Sequence, residues 1–113
     1  MRLTGKKKLE KLKRKNIGNT KLVQEIERLI EDIEKNNWKD VDELKKSRPD
    51  ADCVHNDGFY FFDINIHRAL ILIEVDDGEA TVAWVGTHDE YETTFKNNKD
   101  TIAKWLRTND YIE

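Results

Sequence analysis

The sequence predicts an α+β fold on three observations. Helical periodicity runs through the first half of the chain, strand-like composition takes over from about residue 52 to 86, and a second helical stretch follows to residue 107. Leu22, Ile26, Leu29 and Ile33 recur at spacings of four, three and four, which lays them on one face of a helix. Phe59 to Ile66, Arg68 to Val75 and Ala80 to Val85 are instead rich in aromatic and β-branched residues, with Asn56-Asp57-Gly58 and Asp77-Gly78 between them as turn signals.

The elements follow in order. "MRLTG" has the composition of a short first strand, and Lys6 to Asn16 that of a strongly basic helix with Leu9 and Leu12 as its apolar contacts and Gly18 beyond its end. A long helix runs over residues 20–36 from an N-cap at Asn19 or Thr20, with Lys21/Glu25, Arg28/Asp32 and Glu31/Lys35 placed for ion pairing. "WKDVDELKKSRPD" predicts a short helix through Leu44 that stops before Pro49. The strands from residue 52 to 86 read as an antiparallel meander. The last helical region, residues 88–107, divides at the polar "KNNK", and Ile102, Trp105 and Leu106 are expected to face inward.

Asp77-Gly78 suits a two-residue type I′ turn, since both central residues of that turn need positive φ. Such a turn pairs Asp76 with Glu79, and the ladder then sets Ile71 opposite Trp84, Leu70 opposite Val85, Arg68 opposite Thr87 and His67 near His88. Ile71, Ile73, Val82 and Trp84 would share one face of the sheet, and Leu70, Leu72, Ala83 and Val85 the other.

With 113 residues, of which 37% are apolar, the chain is expected to form one domain over residues 1–113. Ten aromatic residues argue against disorder despite 38% charged residues. A single cysteine, Cys53, excludes a disulfide framework and a cysteine zinc site, and no 18-residue apolar span is present, so the expected location is cytoplasmic. Net charge is −3, but Met1 to Lys15 carries eight Lys/Arg against one acid (+7), leaving twelve against twenty-two (−10). Such concentration in Lys6, Lys7, Lys8, Lys11, Lys13, Arg14 and Lys15 is either a solvated helix face or a footprint for a nucleic-acid backbone.

In "WVGTHDEYE", Thr87 and Glu90 match a capping box at the start of a helix, and Asp89 complements its dipole. The box does not account for His88 and Tyr91, three residues apart on one helical face beside an anion-attracting N-terminus. Arg68 reaches the same end of the hairpin, with His67 beside it as an accessory candidate. Phe59, Tyr60, Phe61, Phe62 and Trp84 suit either a core or base stacking. Three scattered histidines make no metal site.

Taken in order, the basic N-terminal helices, "W..VDELKK", "AD", "FDI", an arginine before an apolar strand and "VGTHDEYE" resemble the HigB toxins of the RelE-like superfamily. The likeness covers residues 38–92, and more loosely the helices before them. Gly86-Thr87-His88-x-x-Tyr91 is its most specific element. The resemblance implies a RelE-like fold and a ribosome-dependent mRNA interferase that needs no metal or cofactor. The expected mechanism is attack of a ribose 2′-OH on the adjacent phosphate, and the expected partners are the ribosome, mRNA and a HigA antitoxin with a helix-turn-helix domain. The toxin alone is expected to be a monomer.

Carried over by position, Arg68 would stabilise the phosphate and His88 transfer protons, an imidazole titrating near pH 6.5. Tyr91 would act as a base or position the RNA, and Lys6 to Lys15 would hold RNA or ribosome. Ala83 stands where members often carry an arginine, which keeps open a second reading: a non-catalytic module that binds nucleic acid or a partner protein.

Overall fold

The computed structural model describes residues 1–113. It is an α+β fold: strand β1 (Arg2–Thr4), helices α1 (Lys6–Lys15), α2 (Thr20–Lys35) and α3 (Val41–Ser47), strands β2 (Asp52–His55), β3 (Phe59–Ile64), β4 (His67–Glu74) and β5 (Glu79–Thr87), then helices α4 (His88–Phe95) and α5 (Lys99–Thr108). The strands form one sheet in the order β1-β5-β4-β3-β2. β2 to β5 make the expected meander, and β1 adds to β5 in parallel, Leu3 facing Ala80.

Each face of the sheet is covered by helices. On one side Leu9 of α1, the Leu22, Ile26, Leu29, Ile33 stripe of α2 and Leu44 of α3 bury against Phe62, Ile64, Ala69, Ile71, Ile73 and Val82. On the other, Tyr91 and Phe95 of α4 with Ile102 and Leu106 of α5 bury against Phe59, Phe61, Leu70 and Ala83. Trp105 is half-buried on this second side, and the four aromatics Phe59 to Phe62 are all core, so none of the four is free to stack a base.

α2 begins at Asn19, whose side chain accepts the Leu22 N–H at 3.2 Å. Of its three expected i,i+4 pairs only Glu31–Lys35 forms, at 3.1 Å. Asp32 turns instead to Arg48, 3.1 Å away, a residue that periodicity alone does not single out. Arg48 is buried, pairs also with Asp50 at 2.8 Å and donates to the Asp63 carbonyl at 3.2 Å. Asp50 in turn accepts the Asp63 N–H at 2.9 Å, so the backbone at the end of β3 is held on both sides.

The β4–β5 hairpin departs from the two-residue turn. Glu74 pairs with Glu79 across a four-residue connection, Val75 to Gly78, closed by Asp77 N–H donating to Glu74 O at 3.2 Å. Gly78 takes φ 64 but Asp77 keeps a negative φ, which excludes type I′. The register therefore runs Ile71 to Val82, then shifts at a bulge before Leu70 meets Trp84, Arg68 meets Gly86 and His67 meets Thr87. Ala83 is the extra residue. Ala83 and Trp84 both join the α4/α5 side while Val85 packs on the α1/α2 side, so the expected positions of Trp84 and Val85 are exchanged.

Candidate active site

A cleft of about 560 Å³ opens where the β3–β4 turn meets the start of α4, lined by Asp63, Asn65, Ile66, His67, Arg68, His88, Tyr91, Glu92 and Asn97. Its walls are fixed by backbone. Asn65 adopts φ 62 in the two-residue turn between β3 and β4, and the His88 N–H donates to Ile66 O at 2.9 Å. The capping box is complete: Thr87 Oγ1 accepts the Glu90 N–H at 3.0 Å, and Glu90 Oε1 accepts the Thr87 N–H at 2.9 Å. Gly86 is required just before it, because a Cβ there would meet the Trp84 ring at 2.6 Å. Thr87→Ala should cost about 1 kcal/mol, read as a fall in Tm of about 4–8 °C.

Arg68 lies on the α4 side, its guanidinium carbon 4.6 Å from the centre of the Tyr91 ring and 5.1 Å from that of Phe61. Its Nε donates to Asp63 Oδ1 at 3.1 Å, and Nη2 lies 4.0 Å from Asp52. Ring stacking and the Asp63 bond fix the plane of the guanidinium and leave its Nη groups as the remaining donors. His88 is exposed, stacks on Tyr91 with ring centres 5.8 Å apart, and has Nε2 at 3.5 Å from Glu92.

Tyr91 is 2% exposed and its hydroxyl donates to Asn97 Oδ1 at 2.9 Å. Burial raises its pKa above the usual phenol value; Arg68 pulls the other way, while Glu92 and Asp52 add to the rise. The raised pKa favours the protonated phenol, whose hydroxyl is already committed to Asn97.

Arg68, His88 and Tyr91 thus come together as the sequence suggests, and His67 lines the same cleft, although its side chain turns away from Arg68. It has the same strand parity as Ala69 and Ile71 and so belongs to the α1/α2 side, buried, with Nδ1 lacking a partner. Burial lowers its pKa below 6.5, and the nearby Glu90 opposes that shift. Glu90 is itself lowered, first by the Thr87 N–H bond, with smaller contributions from His67 and Lys15.

An unfolded imidazole takes up its proton at a higher pH than His67 does in the fold. Stability that His67 contributes above about pH 6.5 is therefore lost as the pH falls toward its folded pKa. His67→Phe should flatten the decline of the urea midpoint between about pH 7.5 and 5; an unchanged slope would show that His67 does not set it.

Along α1, Lys6 pairs with Glu34 at 3.2 Å and Lys13 with Glu10 at 3.2 Å, whereas Lys7, Lys8, Lys11, Arg14 and Lys15 are exposed with no ion pair. No three His, Cys, Asp or Glu side chains are grouped to hold a metal ion. No helix is long and apolar enough to cross a membrane. Asp63, Asn65, Ile66, Glu92 and Asn97 are the cleft residues not expected as site residues from the sequence; Asn97 hides in a polar loop whose composition signals only a turn.

A mixed five-stranded sheet with N-terminal helices packed on it and a C-terminal helix is the arrangement of the RelE-like toxins. The family model for HigB toxin, described as a RelE-like toxic component of a toxin-antitoxin system, matches residues 22–94, more than half of the chain. The protein belongs to this family. It is thus the toxin of a toxin-antitoxin system, and the family implies an antitoxin as its partner. No curated protein matches the chain. The match runs from α2 to α4 and leaves the basic helix α1 and the helix α5 outside it.

Proposed function

We propose that this toxin is an endoribonuclease that cuts mRNA on the ribosome and is neutralised by a HigA-type helix-turn-helix antitoxin. The observation that carries the reading is the convergence of Arg68, His88 and Tyr91 on one cleft. RelE-like toxins are generally endoribonucleases. In the reaction a ribose 2′-oxygen attacks the adjacent phosphorus as its proton leaves, and the bond from phosphorus to the 5′-oxygen breaks as that oxygen gains a proton. The products are a 2′,3′-cyclic phosphate and a 5′-hydroxyl.

Arg68 meets the negative charge that grows on the phosphoryl oxygens, from a guanidinium already oriented by Tyr91 and Asp63. His88, exposed at the mouth, exchanges protons with the reacting oxygens, and Glu92 orients its ring. Tyr91 holds the RNA. His67 supports the start of α4 through Glu90 from the opposite side of the sheet. The free cations of α1 bind the RNA backbone or ribosome, and Lys6 and Lys13 contribute less because each is already paired.

One observation favours the second reading, a non-catalytic binding module. Arg68 is already faced by Asp63 and Asp52, and the buried Ala83 adds no further cation. Purified toxin mixed with translating ribosomes separates the two. Shortened mRNA ending in a 2′,3′-cyclic phosphate supports the nuclease. Intact mRNA together with a salt-sensitive RNA complex would replace it with the binding module.

A further inference from the structure

The link between α4 and α5 is three residues long, and it is held at both ends. Lys96 and Asn97 take left-handed backbone, φ 55 and φ 47, which is unfavourable for residues with a Cβ and least so for asparagine. Asn98 then caps α5 by accepting the N–H groups of Asp100 at 2.8 Å and Thr101 at 3.2 Å. Between these anchors the Asn97 side chain lines the cleft beside Arg68 and His88. Its Oδ1 is occupied by the Tyr91 hydroxyl at 2.9 Å, whereas its Nδ2 has no partner within the protein. Backbone strain of this kind persists where the surroundings fix a side chain for a purpose.

We propose that Asn97 reads the RNA base next to the cut: Nδ2 donates to an acceptor on that base, while Oδ1 turns the Tyr91 hydroxyl so that its lone pairs face the RNA. The proposal rests on the nuclease reading above. With one lone pair of Oδ1 taken by the Tyr91 hydroxyl, the Nδ2 donors are the amide's wholly free groups. The side chain therefore favours bases presenting a carbonyl oxygen or ring nitrogen at that point over those presenting an amino group. Asn97 lies beyond the residues that match the family, so base preference at this position would belong to the α4–α5 link of this chain.

Two variants separate reading from packing. Asn97→Asp keeps the acceptor for Tyr91 but removes the donors, and Asn97→Gly keeps the left-handed backbone with neither group. Cut sites are mapped on an mRNA containing all codons, with kcat and KM measured at the strongest sites and Tm measured alongside. Asn97→Asp, which sets a carboxylate beside the RNA, is expected to lower kcat at every site while shifting relative cutting toward sites bearing an amino group by about tenfold. Asn97→Gly should flatten the site preference and lower kcat. Both variants folding with the wild-type site spectrum would overturn the proposal. A wild-type protein that cuts no mRNA would instead overturn the nuclease reading, and the proposal with it.

Discussion

Arg68→Ala should lower ribosome-dependent cleavage by about 10²–10³-fold, the usual loss when one donor to a developing oxyanion is removed. The effect falls on kcat, because the charge that Arg68 meets grows as the 2′-oxygen attacks. Arg68 sits at the sheet end with its side chain 17% exposed, and it contributes two cation–π contacts of about 0.5–1 kcal/mol each to the fold, so the variant should remain folded. Arg68→Lys supplies the finer test. It keeps the positive charge but loses the planar fork that stacks on Tyr91 and bonds Asp63, so an intermediate rate is expected. A folded Arg68→Ala protein that cuts at the wild-type rate would remove Arg68 from the site.

Phe95→Ala should destabilise the protein by about 3–5 kcal/mol, read by equilibrium urea unfolding. Phe95 is fully buried, and its ring makes edge contacts with Phe61, Trp84 and Trp105 at centroid distances of 5.3, 5.0 and 5.4 Å. Those partners come from β3, β5 and α5, so the cavity opens where three elements meet. Small proteins carry about 5–15 kcal/mol in all, which makes this loss a large share. Tyr91 also packs on Phe95, at 5.9 Å, so residual folded protein should cleave poorly as well. A loss below about 1 kcal/mol would mean that the α4/α5 layer collapses around the missing ring.

Much of this arrangement is legible in the sequence because it is local. The α2 stripe, the Thr87–Glu90 box and the strand composition each depend on residues within one or two turns of one another, and each appears as expected. The hairpin register failed for the opposite reason. Asp77-Gly78 fits several turn types, and neither the four-residue connection nor the bulge at Ala83 leaves a mark in composition. Arg68 and His88 stand out from the hairpin ladder and from helical spacing, and the resemblance then gives them roles, while Asn97 gains its place from the α4–α5 link. His67 lines the cleft with Arg68, but strand parity, which turns adjacent residues to opposite sides, buries its side chain toward α1 and α2.

The parallel pairing of β1 with β5 has a consequence for synthesis. Arg2 to Thr4 are made before the other strands, and their partners Glu79 to Thr81 follow 77 residues later. At about 5–20 residues per second, the nascent chain waits on the order of several seconds before its sheet can close. During that interval β3 and β4 are already made, but the β5 residues Ala80 and Val82 are still missing from the core that covers α1 and α2. Until β5 is added, the chain carries an incomplete sheet in which β4 has an unpaired edge.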